Sequence, residues 1–291
     1  MGDQPGSEET AAAEQHCERK PLIVLLTGAT DGIGRCIARL LAPRSNLRLL
    51  VHCRDPAKGA ALVEELAAVA ADSAEISYHV ADFGRLDDVE ALAKEVVDSV
   101  PSLDVLINNA GAGPGPDGAQ RREAHDGHEY ILTVNTLAPY LLSERLHPLL
   151  AKGQMPRVVH VASLGQAPFD LDNLDLTEGY SGLDAYRRSK LAIIMLGFQQ
   201  AARWEADAVS VHSLHPGTLL NTTMVREHWK EVRGEPQEGA DSVLHVALSK
   251  EVEGTGKFFD RKRPSRALAD AYDPRARQKL EALVREWTRL A

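Results

Sequence analysis

Short apolar runs alternate along the chain with longer segments in which apolar residues recur every three or four positions. The first run, residues 22–27 (LIVLLT), is continuously apolar, a pattern typical of a strand buried on both faces of a sheet. Similar runs predict further strands at 47–53, 75–80, 103–107, 157–162, 208–214 and 256–259. The helical period predicts helices at 32–42, 57–71, 86–100, 127–150, 184–205 and 236–249, and a C-terminal helical stripe at 280–287.

This alternation of β and α segments predicts an α/β fold, in which one doubly wound, Rossmann-like parallel β-sheet carries helices on both faces. Ligands of such a fold bind at the carboxyl ends of the strands. We expect one domain over residues 21–291, because the β/α rhythm continues without an interdomain linker. Residues 1–20 are acidic and polar and predict a disordered tail.

Composition narrows the possible partners and the compartment. With 33 Lys and Arg against 42 Asp and Glu, the formal net charge is −9, which argues against nucleic acid or an anionic membrane as the main partner. No signal peptide or membrane anchor is predicted. Three cysteines without a C-x-x-C motif exclude a disulfide framework, and a cytoplasmic location is expected.

No metal site is predicted, because His212 and His215 would point to opposite faces of a strand.

A glycine-rich turn follows the first predicted strand. The sequence from Thr27 to Gly34 has the spacing G-x-x-x-G-x-G, where a cofactor pyrophosphate meets backbone N–H groups and a helix N-terminus. The alternative is a tight βα connection that binds nothing. The candidate cofactor-binding residues of this turn are Gly28, Thr30, Asp31, Gly32, Ile33 and Gly34.

The end of the second strand bears on the choice between the two nicotinamide cofactors. Arg54 lies 20 residues after Gly34, where an arginine can pair with the 2′-phosphate of NADP and an acidic residue would accept the ribose hydroxyl of NAD. Asp55 offers the opposite sign, but Arg54 directly follows the last strand position. NADP(H) is therefore predicted over NAD(H); the alternative is a solvated arginine.

A tyrosine and a lysine four residues apart predict the chemistry. Tyr186 and Lys190 share one face of a predicted helix, and the lysine charge would lower the pKa of the phenol. Such a phenol can act as a general acid/base on a carbonyl oxygen. Ser163, at the carboxyl end of the fifth strand, could hydrogen-bond the same oxygen.

The motifs together resemble the classical short-chain dehydrogenase/reductase family over residues 21–260. The segments CRD at 53–55, DGHEYILTVNTLAPYLL from 126 and AYRRSKLA from 185 are most similar to its retinol dehydrogenase-like branch. The matching positions are Thr27, Gly28, Gly32, Gly34, Asp82, Asn108, Asn109, Ala110, Gly111, Asn135, Ser163, Tyr186, Lys190, Pro216 and Gly217.

The resemblance implies a role for each position. Tyr186 would be the acid/base, Lys190 would hold the nicotinamide ribose, and Ser163 would orient the substrate oxygen. Asn135 would hold the water of a proton relay to Lys190. The remaining implied cofactor contacts are Asp82 at the adenine amino group, Phe83, the backbone of Asn109, Ala110 and Gly111 at the adenosine ribose, Pro216, and Gly217 and Thr218 at the nicotinamide amide.

The sequence departs from the family pattern in two places. A threonine is usual four residues after Gly217, but Asn221 stands there, followed by Thr222 and Thr223. Many retinol dehydrogenases also carry an N-terminal membrane anchor; since none is predicted here, a retinoid is not the expected substrate.

The predicted activity is interconversion of a carbonyl and an alcohol on a lipophilic small molecule. Residues 219–234 would form a substrate lid, with Met224, Val225 and Trp229 on its apolar side. The family relationship implies a homodimer or homotetramer. Two alternatives are a cofactor-binding sensor or scaffold without turnover, and a dehydratase or epimerase, which would need a longer C-terminal domain and another glycine spacing.

Overall fold

The computed structural model describes residues 20–116, 119–229 and 231–290, so the predicted disordered tail lies, except for residue 20, outside the described residues. The described residues form eight strands, seven at the predicted apolar runs and an eighth, β8, that no apolar run predicted. They are β1 (Leu22–Thr27), β2 (Leu47–Cys53), β3 (Glu75–Val80), β4 (Val105–Asn108), β5 (Arg157–Val161), β6 (Ser210–His215), β7 (Lys257–Asp260) and β8 (Arg263–Ser265).

All eight strands belong to one sheet in the order β3-β2-β1-β4-β5-β6-β7-β8. Strands β1 to β7 run parallel, as predicted, but β8 pairs with β7 in the antiparallel direction. Only two residues separate β7 from β8, too few for the crossover that a parallel pair needs. The strand order reverses between β1 and β4, and this opens a crevice at the carboxyl ends of those strands.

Helices cover both faces of the sheet, as predicted. Apolar residues of α1, α2 and α8 pack on one face, and those of α3, α5, α6 and α9 pack on the other. The helices are α1 (Gly32–Leu41), α2 (Pro56–Ala67), α3 (Leu86–Ser99), α4 (Tyr130–Leu132), α5 (Ala138–Leu150), α6 (Gly182–Arg203), α7 (Thr223–His228), α8 (Pro236–Leu248) and α9 (Pro274–Trp287).

The continuously apolar first strand is buried on both of its faces. Ile23 and Leu25 belong to one core and Val24 and Leu26 to the other, and each of the four is at most 3% exposed. Since side chains alternate along a strand, an apolar residue at every position is what a central strand of a covered sheet requires. The predicted fold class is thus confirmed.

The helix predicted at 127–150 differs from the observed one. It begins at Tyr130, because the Glu129 side chain caps its start by accepting from Leu132 N at 2.6 Å. Residues Thr133–Leu137 then form a wider, π-helical turn. Pro139, just beyond that turn, has no N–H to donate to the carbonyl four residues earlier, and this break in the helical ladder accompanies the widening.

The C-terminal stripe packs inside the chain. Leu280 and Val284 of α9 are fully buried, and α9 lies against α6. Glu281 accepts hydrogen bonds from Tyr140 Oη and Arg203 Nε, both at 2.9 Å. The C-terminal stripe therefore packs against its own chain, and the homodimer or homotetramer stays a prediction. None of the helices described is long and apolar enough to span a bilayer.

Side chains join the carboxyl ends of β1 and β4, where the crevice begins. The buried Thr27 Oγ1 accepts from Asn109 N and Ala110 N, each at 3.0 Å. The Asn109 side chain donates to the carbonyls of Thr27 and Gly28, each at 3.0 Å. These four bonds fix the backbone after β4 against the turn after β1.

We expect Thr27→Val to lower the free energy of unfolding by about 2 kcal/mol, because two buried N–H groups lose their acceptor while the volume stays the same. Urea unfolding would measure the change. Thr27→Ser, which keeps the acceptor oxygen, is the matched control and should lose less than half as much. Equal stability of the valine variant and the wild type would contradict this assignment.

Candidate active site

A cavity of about 770 Å³ occupies the crevice at the carboxyl ends of the strands. It brings together nearly all the predicted site residues in its wall. These are Gly28, Thr30, Asp31, Gly32, Ile33, Arg54, Asp82, Phe83, Asn109, Ala110, Gly111, Ser163, Tyr186, Lys190, Pro216, Gly217 and Thr218. Gly34 and Asn135 lie behind that wall.

The glycine turn joins β1 to α1. Gly28 has a φ of +66°, a conformation that disfavours a side chain. A Cβ on Gly34 would overlap the Gly28 carbonyl oxygen and lie 2.6 Å from Asn109 Nδ2, so only glycine lets α1 come this close. Asp31 caps α1 by accepting from Gly32 N at 2.7 Å. The cavity therefore meets the exposed N–H groups of a helix N-terminus, which suits a pyrophosphate.

His52 supports the same turn from β2. Its Nδ1 accepts from Gly28 N at 3.3 Å, and its Nε2 donates to Ala81 O at 3.0 Å. Burial lowers the pKa of this histidine to about 4, so the ring is neutral and can do both. His52 is thus a buried histidine with both ring nitrogens hydrogen-bonded, and the ring also holds the turn in place.

Arg54 and Asp55 follow β2 at the opposite end of the cavity from Tyr186. Arg54 is exposed and donates from Nη1 to Tyr130 Oη at 3.2 Å. Asp55 instead caps α2, since its Oδ1 accepts from Ala57 N at 2.9 Å and Lys58 N at 3.3 Å. The carboxylate next to Arg54 is thus bound to backbone, while the guanidinium is on the cavity wall.

The wall near Arg54 contains two polar residues that the sequence reasoning missed, Lys58 and Tyr130. Lys58 carried a weak signal, since a cation in the first turn of a helix opposes the helix dipole. Tyr130 carried none, because only folding brings α4 beside the end of β2.

At the other end, Tyr186 lies half-buried beside Ser163. Burial raises the pKa of the Tyr186 phenol, and a hydrogen bond from Ser163 partly opposes the rise. The sequence predicted a pKa lowered by Lys190, and in this structure that expectation is wrong. The lysine Nζ lies 5.7 Å from the centre of the tyrosine ring, and the loss of hydration remains the largest influence on the phenol.

Lys190 is held by the end of β5. Its Nζ donates to Val161 O at 3.0 Å, and burial lowers the pKa of the amine to about 8. A Cβ on Gly111 would lie only 3.7 Å from this Nζ and 3.3 Å from Asn135 Oδ1. The missing side chain at Gly111 therefore leaves the ammonium accessible from the cavity.

Asn135 is buried in the π-helical turn and bonded on both sides of its amide. Its Oδ1 accepts from Ala112 N at 2.7 Å, and its Nδ2 donates to Ala112 O and Ser189 Oγ, each at 3.0 Å. The side chain thus ties the loop after β4 to α6. The water relay implied for it stays a prediction.

The predicted lid contains one short helix, α7, and is closed at its base. Asn221 N donates to Gly234 O, and Arg233 N donates to Leu219 O, each at 2.8 Å. On the inner side, Met224 and His228 pack against Gly113, and the Trp229 ring meets the Tyr186 ring edge-on at 6.0 Å between centres.

Three residues stand where family members usually have a threonine, and they make different contacts; they are Asn221, Thr222 and Thr223. Asn221 accepts from Arg226 at 3.0 Å and is not part of the cavity wall, whereas Thr222 and Thr223 are. Thr222 caps α7 by accepting from Val225 N at 3.2 Å. Next to it along the wall, Thr218 Oγ1 is hydrogen-bonded to His215 Nε2 at 3.1 Å.

The family model described as short chain dehydrogenase matches residues 22–233. The chain belongs to that family. It is 31% identical to human retinol dehydrogenase 14, over 88% of this chain and 83% of the relative. It is 32% identical to mouse retinol dehydrogenase 11, over 81% and 77%. These relatives place the chain in the retinol dehydrogenase-like branch of an oxidoreductase family that uses NAD(P)(H).

Solved structures of other proteins have a similar fold. An uncharacterized protein from Mycobacterium paratuberculosis is 25% identical, with a TM-score of 0.73 over 93% of this chain and 94% of that chain. A metagenomic short-chain oxidoreductase in complex with NADP is 26% identical, with a TM-score of 0.64 over 85% of this chain and 98% of that one.

For this short-chain dehydrogenase we expect Asn135→Asp to lower the free energy of unfolding by about 3 kcal/mol, because a buried carboxylate cannot donate to Ala112 O or Ser189 Oγ. Thermal unfolding would measure it. Asn46→Asp, an exposed change of the same kind, should alter stability by less than about 0.5 kcal/mol. A loss no greater at Asn135 than at Asn46 would show that the buried amide is dispensable.

Proposed function

We propose that this protein is an NADP(H)-dependent oxidoreductase that interconverts a carbonyl and an alcohol on a lipophilic small molecule. The observation that carries the proposal is the single cavity whose wall includes both the glycine turn at Gly28 and the pair Ser163 and Tyr186. A ligand with a phosphate end and a reactive end suits such a cavity. The metagenomic oxidoreductase described above was solved in complex with NADP, which supports the cofactor choice.

The cofactor would be held by the residues already placed along the wall. The N-terminus of α1 would take the pyrophosphate, Asp82 and Phe83 the adenine, and the segment from Pro216 to Thr218 the nicotinamide amide. Lys190 would bind the ribose hydroxyls. When bound, the cofactor supplies or accepts the hydride.

Tyr186 would be the proton donor for carbonyl reduction. Its raised pKa keeps the phenol protonated at neutral pH, which is the form that an acid catalyst needs. Ser163 Oγ accepts from Gly165 N at 2.9 Å, and the proton that it directs at Tyr186 here would turn to the carbonyl oxygen of the substrate. The two hydroxyls would stabilise the negative charge that develops on that oxygen.

Preference for NADP(H) is supported by the arrangement after β2. Asp55 is committed to capping α2, so Arg54 faces the cavity without an acidic competitor for the ribose. A guanidinium there favours a 2′-phosphate. Lys58, on the same wall, adds a second positive charge.

A lipophilic substrate is supported by the side chains around Tyr186. Leu164 and Leu183 line the cavity although they are 45% and 39% exposed, and Met224 and Trp229 lie across from them on the lid. Exposed apolar residues concentrated at the mouth of a cavity indicate an apolar ligand. Residues 219–234 would therefore act as the predicted substrate lid.

The first test is consumption of NADPH and NADH across a panel of ketones and aldehydes. The purified protein should oxidise NADPH in preference to NADH, and Tyr186→Phe should lose at least about 100-fold in kcat because it lacks the transferable proton. Arg54→Ala should raise KM for NADPH about tenfold and leave KM for NADH unchanged.

Three outcomes would contradict the proposal in different ways. A preference for NADH would reject the role of Arg54. Full activity of Tyr186→Phe would reject Tyr186 as the proton donor. Tight NADPH binding without turnover on any carbonyl would favour the alternative of a sensor or scaffold.

The pH profile should show the titration of Lys190. Its ammonium is lost as the pH rises through about 8, so kcat/KM for reduction should fall above that pH. The raised pKa of Tyr186 keeps its proton over the same range, so this limb belongs to the lysine. In Lys190→Arg, which stays charged, the limb should move to higher pH. A wild-type profile that stays flat up to about pH 10 would contradict the assignment.

A further inference from the structure

Tyr130 is held at the adenosine end of the cavity by one contact on a face of its ring and another at the ring edge. Arg122 stacks on the ring with its Cζ 3.4 Å from the ring centre. Gly84 lies at its edge, where a Cβ would be 3.0 Å from Tyr130 Cε2. The backbone is held too, since Tyr130 N donates to Arg122 O at 2.8 Å. The hydroxyl therefore has one position, and Arg54 is bonded to it.

The cations around this tyrosine form no ion pair with any residue that the structure describes. Among the ion pairs of the residues that the structure describes, none involves Arg54, Lys58 or Arg122. Asp55, the nearest carboxylate in sequence, caps α2 instead. Clustered positive charges without ion-pair partners favour an anionic ligand. Lys58 lies in the first turn of α2, where the helix dipole disfavours a positive charge, and a bound anion would offset that unfavourable interaction.

The bond to Tyr130 has a physical consequence for Arg54. An exposed arginine loses rotamer entropy when a ligand immobilises it, and this cost is smaller if the side chain is already held. The tyrosine oxygen accepts from the guanidinium, so the phenol proton stays available to donate to an anion bound by the same arginine.

We infer that Tyr130 is a positioning residue that holds Arg54 for the cofactor's 2′-phosphate, so that the preference for NADPH over NADH depends on its hydroxyl. This inference rests on the proposed NADP(H) function. It concerns a residue to which the family resemblance assigned no role.

Binding of two nucleotide fragments tests the inference without catalysis. Calorimetry would measure the Kd of 2′,5′-ADP and of 5′-AMP for the wild type and for Tyr130→Phe, which keeps the ring for Arg122 and Gly84. We expect Tyr130→Phe to weaken 2′,5′-ADP about fivefold and to leave 5′-AMP unchanged. Tyr78→Phe, on the edge strand β3 and outside the cavity wall, is the matched control and should change neither.

A double-mutant cycle shows whether the hydroxyl acts through Arg54. Arg54→Ala should weaken 2′,5′-ADP more than Tyr130→Phe does, and adding Tyr130→Phe to Arg54→Ala should cause little further loss. With saturating NADPH, kcat of Tyr130→Phe should match the wild type while KM rises.

The inference and the proposed function fail in distinguishable ways. If Tyr130→Phe binds 2′,5′-ADP as the wild type does, or if its effect adds fully to that of Arg54→Ala, the inference is overturned and the NADP(H) proposal stands. If the wild type binds 2′,5′-ADP no better than 5′-AMP, the NADP(H) preference itself is wrong.

Discussion

The close approach of α1 to the end of β1 is the constraint on which the site depends. Gly34 lies against the carbonyl of Gly28, and no larger residue fits between them. This contact places the helix N-terminus directly beneath the cavity. Thr27 and Asn109 then bond the same turn to the chain after β4, and His52 bonds it to β2. Three strands are thereby tied to one turn, which fixes where a phosphate can bind.

Burial sets the chemistry at the other end of the cavity. The same loss of hydration raises the pKa of Tyr186 and lowers that of Lys190, because it penalises the charged form of each group. The result is a neutral phenol next to an amine that titrates near neutrality. In the proposed function, this pair would supply a proton to a carbonyl oxygen. It would also make the reaction sensitive to pH through the lysine rather than through the tyrosine.

Much of this architecture could be predicted from the sequence, because buried parallel strands leave a continuous apolar signature and the glycine turn follows the first of them directly. Tyr186 and Lys190 were predictable because helical spacing alone places them together. The antiparallel β8 and the widened turn at Asn135 were not predicted. Strand β8 has only three residues, too few to show an apolar pattern, and a proline near the start of a helix does not by itself indicate a widened turn. Tyr130 reaches the site only through tertiary packing, for which local sequence gives no signal, whereas Trp229 was predicted on the apolar side of the lid.

A crystal structure of the protein with bound NADP⁺ would test most directly the central claim that one ligand joins the two ends of the cavity. The account predicts the pyrophosphate at the N-terminus of α1, the 2′-phosphate on Arg54 with Tyr130 still bonded to it, and Lys190 turned from Val161 O to the ribose. A cofactor bound with its 2′-phosphate away from Arg54, or with its nicotinamide far from Tyr186, would contradict it.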